Sequence, residues 1–234
     1  MTCVVPAFNA EAFIGEAVDS VLEQTYERIE LIIVDDGSAD RTLDVIRSYG
    51  DVLTYLRHPH AGAASAKNTG IRAAHGEFVA FLDADDLWRP DKLTRQMRRF
   101  AERPEVDLCF TRYRNFWAPD LAEEEKRYAE RLLARSTSGW SMSTLLTRRD
   151  TFRRFGFFEE SADEKHQSLI WALRAAKNGA VVDVMPDVLV DRRLHSGNQS
   201  RRWTIDAEFF DLLKTWRDYR KHVAGDDDAR PPLG

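Results

Sequence analysis

With 234 residues, 43% of them hydrophobic and 31% charged, the chain has material for one sizeable α/β domain and lacks the composition of a disordered segment. Its net charge of -5 argues against a nucleic-acid backbone as the main partner, and no apolar run approaches the ~20 residues needed to span a bilayer. No leader with basic, apolar and small-residue parts is visible, and Cys3 and Cys109 lack metal-site spacing and read as reduced core residues. A cytoplasmic protein is expected, soluble or peripheral at a membrane.

In chain order, Cys3 to Pro6 is a short β-prone run. Ala10 to Gln24 sets Phe13, Ala17, Val18, Val21 and Leu22 on one helical face, with Asn9 as its candidate N-cap. Ile29 to Val34 is almost continuously apolar, as in a strand buried on both faces of a parallel sheet. Arg41 to Tyr49 reads as a helix, Val52 to Leu56 as a strand, and Ala63 to His75 as a helix closed by Gly76. Phe78 to Leu82 is the next strand. Leu87-Trp88-Arg89-Pro90 opens a helix running to about Arg103, and Val106 to Thr111 is a strand. Residues 113–135 are charged and without a period. Trp140 to Leu146 reads as a strand whose Trp140 either stacks on a sugar or sits in the core. Gly156 to Glu160 leads into a helix carrying Trp171 and Arg174, and Val188 to Leu194 is a further strand. Thr204 to His222 is an amphipathic helix for the domain surface or a partner, compatible with a homodimer; 224–234 reads as a disordered tail. The alternation predicts an α/β fold, a doubly wound, mostly parallel central sheet flanked by helices, forming a single domain over 1–223.

In such sheets ligands bind beyond the carboxyl ends of the strands. Three of those ends are polar: Pro6-Ala7-Phe8-Asn9, Asp35-Asp36-Gly37-Ser38 and Asp83-Ala84-Asp85-Asp86. The last puts two hard-oxygen ligands at i, i+2 on a strand tip, which suits Mg²⁺ or Mn²⁺ holding a diphosphate. The plainer alternatives are an acidic turn after a strand and, for Asp35 to Ser38, a turn feeding a helix. Taken together, three polar tips on one edge favour a nucleotide diphosphate with a metal.

The segments VVPAFNAEAFIGEAVDSVLEQTY, ELIIVDDGSADRT and AGAASAKNTGIRAAHGEFVAFLDADDLWRPDKL resemble the family-2 inverting glycosyltransferases of the nucleotide-diphospho-sugar transferase (GT-A) fold. The resemblance runs through roughly the first 100 residues, with traces to about residue 200. It implies a nucleotide-diphospho-sugar donor, Mn²⁺ or Mg²⁺, and transfer with inversion to a glycan, lipid-linked or small-molecule acceptor. It makes 1–103 the donor-binding half and 104–200 the acceptor half. Pro6, Ala7, Phe8, Asn9 and Glu11 match the first nucleotide-contacting segment, and Asp36 the carboxylate that meets the base. Lys67 stands where the family often has Arg; Lys keeps the charge but loses the bidentate fork. Asp83, Ala84 and Asp85 match the DXD motif, the first carboxylate toward the ribose and the last on the metal. Arg193 to Ser200 resembles a late Arg-x-His-x-Gly-Asn-x-Ser stretch, in which His195 is a candidate for the metal or phosphate, or else a turn histidine.

Inverting transfer needs a general base on the acceptor hydroxyl. The family supplies a carboxylate near the start of the helix after the Gly156 to Glu160 lead-in. Counting back from Trp171 and Arg174, those positions hold Ile170, Gln167 and Ser168. The nearest carboxylates are Asp163 and Glu164, with Glu164 favoured as base, and His166 is a further candidate. The departure leaves a second reading open, a nucleotide-sugar-binding protein with weak or no transfer. A nucleotidyltransferase is disfavoured, since no Gly-rich, basic triphosphate loop follows the first strand.

Overall fold

The computed structural model describes residues 1–128, 137–138, 141–160 and 167–198. Trp140, Asp163, Glu164, His166, the helix expected over 204–222 and the tail lie outside them.

The first half is built as the apolar runs dictate. β1 (Thr2–Ala7) pairs in parallel with β2 (Glu30–Asp35) on one side and β4 (Phe78–Phe81) on the other, and β2 pairs in parallel with β3 (Thr54–Arg57). Pro6 is tolerated in this central strand because it lies beyond Val4, the last residue paired to β4, so its missing N–H breaks no ladder there. Alternate residues of β1 serve opposite layers. Cys3, Val5 and Ala7 join α1 (Ile14–Leu22), α2 (Thr42–Arg47) and α4 (Lys92–Glu102) in one core. Val4 faces α3 (Ala63–Ala73), whose Ala66 and Ile71 share a second core with Phe81, Phe110, Phe152 and Trp171. Gly70 permits the contact between α3 and β1: a Cβ there would meet Val4 Cγ1 at 2.3 Å.

The second half of the sheet is mixed. β8 (Leu146–Arg148) runs antiparallel to β4 and to β6 (Leu108–Trp117), while β9 (Val182–Leu194) runs parallel to β6. The short β5 (Leu87–Trp88) is antiparallel to β9, and β7 (Thr137–Ser138) to β6, giving the order β3-β2-β1-β4-β8-β6-β9-β5 with β7 beside β6. After β6 comes α5 (Ala122–Tyr128); α6 (Asp150–Phe155) and α7 (Gln167–Lys177) lie beside α3. Trp171 of α7 stacks on Phe152 at 4.8 Å, and its Nε1 donates to Gly156 O at 2.7 Å.

Several expectations are corrected. Asn9 is not a helix cap: α1 begins at Ile14, and Asn9 takes a left-handed φ of 48°. Leu87 and Trp88 belong to a strand, and α4 starts only at Lys92. The start of the supposedly patternless 113–135 continues β6 as far as Trp117. Met142–Thr144 is a single 3-10 turn before β8. β9 starts at Val182, because the register slips between Val184 and Val188 and lets Pro186 sit in the irregularity.

One core group is unusual. Lys92 is fully buried; its ammonium lies 4.1 Å from the Trp88 ring centroid and donates to Gln96 Oε1 at 2.8 Å. Burial pulls it down to about 7, against a smaller opposing influence from Cys3 and Cys109. The unfolded chain then holds the lysine proton up to its ordinary value, so this group makes stability rise with pH from about 7 upward and fall as pH drops to that value. Lys92→Met is therefore expected to stabilise the fold by about 1–3 kcal/mol at pH 6, after allowing for the orphaned Gln96 oxygen, with a gain that shrinks toward pH 8.5. Urea unfolding at the two pH values is the check; a variant that loses stability at pH 6 contradicts it.

Candidate donor and metal site

The tips of β1, β2 and β4 lie side by side, because their strands are neighbours and parallel. Backbone and side chains lace them together. Asp36 N donates to Ala7 O at 2.8 Å, and Asn9 N to Ser38 Oγ at 2.9 Å. The Asn9 amide oxygen accepts from Ala39 N at 2.9 Å, so the lateral tie replaces the cap expected of it. Pro6 and Ala7 form the end of β1, with Ala7 buried, and Phe8 is exposed beyond it. Glu11 accepts from Arg41 N at 2.8 Å and braces the start of α2.

At the β2 tip the two aspartates do different work. Asp35 is fully buried and closes the turn, accepting from Ser38 N and from Tyr55 Oη, both at 2.8 Å. Asp36 is buried too, and its carboxylate meets the 58–62 loop. It accepts from Ala61 N at 2.8 Å and Gly62 N at 2.9 Å, with the Nδ1 atoms of His58 and His60 at 3.2 and 2.8 Å.

At the β4 tip the three carboxylates diverge. Asp83 turns toward Lys67, whose ammonium lies 3.7 Å away, and Ala84 is buried between the two motif carboxylates. Asp85 Oδ2 lies 3.0 Å from both His195 Nε2 and Asn198 Nδ2; Oδ1 takes no hydrogen bond from a described residue. Asp86 is buried, with Ser143 Oγ donating to it at 2.7 Å and Arg193 N at 3.1 Å. Burial, with the Asp85 and Asp83 charges, pushes its carboxyl well above the usual range. Truncation as Asp86→Ala would orphan both buried donors and is expected to cost about 2–4 kcal/mol of stability; an unfolding midpoint equal to wild type contradicts this role.

Why β9 reaches the β4 tip follows from connectivity. The acidic turn runs straight into β5, and Leu87 pairs with Asp191. That pairing delivers Arg193 and His195 to the turn. Arg193 is buried, its guanidinium carbon 4.9 Å from the Phe13 ring centroid and 4.7 Å from that of Phe116. It donates to Asp85 O at 3.0 Å and to Glu16 at 2.9 Å. The His195 ring rests 4.6 Å from that of Phe13. Asn198 Oδ1 accepts from His195 N at 2.6 Å, folding the segment back on itself. Of the expected metal ligands, Asp85 and His195 thus touch, while Asp83 is drawn toward Lys67. Among the described residues no group of three or more His, Cys, Asp and Glu side chains is arranged to hold a metal. Two protein ligands remain compatible with an ion whose shell is completed by substrate phosphate oxygens and water.

α3 and α7 close the other side. Lys67 is buried and donates to Ser168 Oγ at 3.3 Å, so the start of α7 adjoins the acidic turn. The two positions there are Gln167 and Ser168, neither a carboxylate. Glu160, from the lead-in, accepts from Asn68 Nδ2 at 2.7 Å. Asn68, with Ser65 and Arg72, holds it below the usual carboxylate range. Asp163 and Glu164 lie outside the described residues. Arg193 and Asn198 belong to the late motif; Ser143 lies in the 3-10 turn before β8, and His58 and His60 in a loop, none with a sequence signal of its own.

The chain as a whole has relatives of known family. The model of Glycosyl transferase family 2 matches residues 2–166. A Bacillus subtilis protein named as a teichuronic acid biosynthesis glycosyltransferase, TuaG, is 31% identical over 94% of this chain and 87% of its own length. An uncharacterized glycosyltransferase of Rickettsia typhi is 28% identical over 95% of this chain and 72% of that protein. Among solved structures, S. aureus TarS in complex with UDP-GlcNAc superposes with a TM-score of 0.68 at 20% identity, covering 97% of this chain and 67% of that one. The mannosyltransferase PcManGT from Pyrobaculum calidifontis, in complex with GDP-Man and Mn²⁺, gives 0.65 at 25% identity, covering 99% and 66%. The large curled α/β sheet is therefore the glycosyltransferase (GT-A) architecture, and no helix of the described residues is long and apolar enough to cross a membrane. The chain belongs to glycosyl transferase family 2 and is a glycosyltransferase.

Proposed function

We propose that this protein transfers a sugar from a nucleotide-diphospho-sugar to an acceptor hydroxyl with inversion, using Mn²⁺ or Mg²⁺. The observation that carries this reading is Asp85, partly exposed at the β4 tip and held through Oδ2 by His195 and Asn198, with Oδ1 taking no hydrogen bond from a described residue. A hard oxygen beside an imidazole suits either ion, with Asp83 at the same tip. When bound, the ion would neutralise charge growing on the nucleoside diphosphate as the bond to the sugar breaks.

The chain's own groups take the other parts. Asp83 is read as accepting a hydrogen bond from the ribose. Lys67, already 3.7 Å from Asp83, supplies fixed positive charge toward the diphosphate. Phe8 and Asp36 are read as the base subsite, with Pro6, Ala7, Asn9 and Glu11 shaping its floor. Inversion requires the acceptor oxygen to attack the face opposite the leaving diphosphate while losing its proton. Glu164 is proposed as the base, with Asp163 as its alternate: Ser168, four residues later in sequence, adjoins Lys67. The name of the Bacillus relative supports an acceptor of the glycan class.

A second reading, a nucleotide-sugar-binding protein without transfer, is favoured by Gln167 and Ser168 at the start of α7, where an acid is expected. Incubation with a panel of nucleotide sugars and Mn²⁺ separates the two. Proton NMR should show slow donor hydrolysis or transfer, with the anomeric configuration inverted in the glycosidic linkage of the transfer product, which does not mutarotate. Tight donor binding with no turnover supports the second reading; a product of retained configuration contradicts the first.

A further inference from the structure

Asp36 is crowded in a way that bears on how a donor enters. A carboxylate offers about four lone-pair positions. Ala61 N donates to Oδ1 and Gly62 N to Oδ2, and the Nδ1 atoms of His58 and His60 stand 3.2 and 2.8 Å from the same two oxygens while hydrogen-bonding to Pro59 O and Asp36 O. A base N–H reaches the carboxylate only where one of these four groups withdraws.

Three of the four are fixed. Ala61 and Gly62 donate from the backbone immediately before α3, with Gly62 at φ 93°. The turn at Gly37 packs against this loop so closely that a Cβ there would lie 2.9 Å from His60 N. His58 is mostly buried, with 19% of its side chain exposed. His60 differs: 53% of its side chain is exposed, so it can leave by side-chain rotation with the backbone still.

What His60 does before leaving is specific. Its ring lies on Phe8, centroids 4.2 Å apart and planes 23° from parallel. Its Nδ1 lies 2.8 Å from Asp36 Oδ2 and, in its N–H form, donates to Asp36 O at 3.2 Å. A flat ring stacked on an aromatic face with a ring nitrogen against a buried carboxylate takes the place a nucleobase would fill at the same two residues. We infer that His60 is an internal stand-in for the donor's base. It fills the subsite of Phe8 and Asp36 in the free protein, and the base enters as the imidazole rotates into solvent. This rests on the reading of Phe8 and Asp36 as the base subsite.

A site occupied by its own side chain binds with an affinity reduced by the fraction of molecules in which it is open. His60→Ala should therefore bind its preferred nucleoside diphosphate about 5–10-fold more tightly than wild type, with pyrophosphate affinity unchanged. Calorimetry with UDP, GDP, CDP, dTDP and pyrophosphate, each with Mn²⁺, measures this on wild type, His60→Ala and Phe8→Ala. Phe8→Ala should weaken the nucleotide alone. Equal or weaker nucleotide binding by a folded His60→Ala overturns the proposal and makes His60 a wall of the site. A wild type that binds every nucleotide no better than pyrophosphate overturns the base-subsite reading itself. Histidine-selective NMR of wild type needs no variant: the His60 ring protons, shielded by Phe8, should move toward exposed values as the nucleotide saturates. Ring signals unmoved at saturation also overturn the proposal.

Discussion

Replacing Asp85 with Ala is expected to lower sugar transfer by about 10²–10³-fold, the scale of losing one preorganised electrostatic contact to a leaving group. Fold stability should change little. Asp85 is partly exposed, and its two side-chain partners, His195 and Asn198, have other hydrogen bonds: Asn198 to Arg193 O, and His195 Nδ1 from Gly197 N. Its backbone oxygen, which holds Arg193, survives the substitution. Activity should not return with added Mn²⁺, whereas nucleotide binding in EDTA should be equally weak in wild type and variant. Steady-state transfer and a urea titration together test this. Full activity with an intact fold would remove Asp85 from the proposed metal site.

Glu164→Gln is expected to cost about 10²–10⁴-fold in single-turnover transfer while sparing donor affinity, because Gln keeps the shape and cannot take the acceptor's proton. Asp163→Asn, measured in parallel, should have the smaller effect. Among described side chains the nearby alternatives are committed elsewhere. Glu160 is held by Asn68 and Arg72, and Asp83 is turned toward Lys67. Undiminished turnover in both single variants and in the double variant would rule out this segment as the source of the base.

The parallel half of the fold was legible because Cys3 to Pro6, Ile29 to Val34 and Phe78 to Leu82 are apolar runs that stop abruptly at polar residues. That same contrast exposed the site's edge. What failed to show had no local pattern. β5 is two residues long and exists only through its pairing with β9. Pro6 and Pro186 look like breakers, yet one lies beyond its neighbour's last pair and the other in a register slip. Asn9 carries cap chemistry but spends it sideways on Ala39. Within the site, Asp85 and His195 could be paired from their motifs, and Asp36 could be singled out. The crowd around Asp36 could not, because His58 and His60 sit in a loop whose shape is set by α3 and the Gly37 turn. Nor did sequence indicate that Lys92, at the first position of an otherwise ordinary helix, would be wholly buried against Trp88.

The acidic turn after β4 is proposed to hold a divalent ion for a nucleotide sugar's diphosphate. The decisive measurement is anomalous scattering from crystals grown with Mn²⁺ and the preferred nucleoside diphosphate. The expected result is one strong manganese peak in coordination contact with the Asp85 carboxylate and the diphosphate oxygens, absent from Asp85→Ala crystals. A bound nucleotide with its diphosphate at the β4 tip and no manganese there, or manganese elsewhere on the chain, would contradict it.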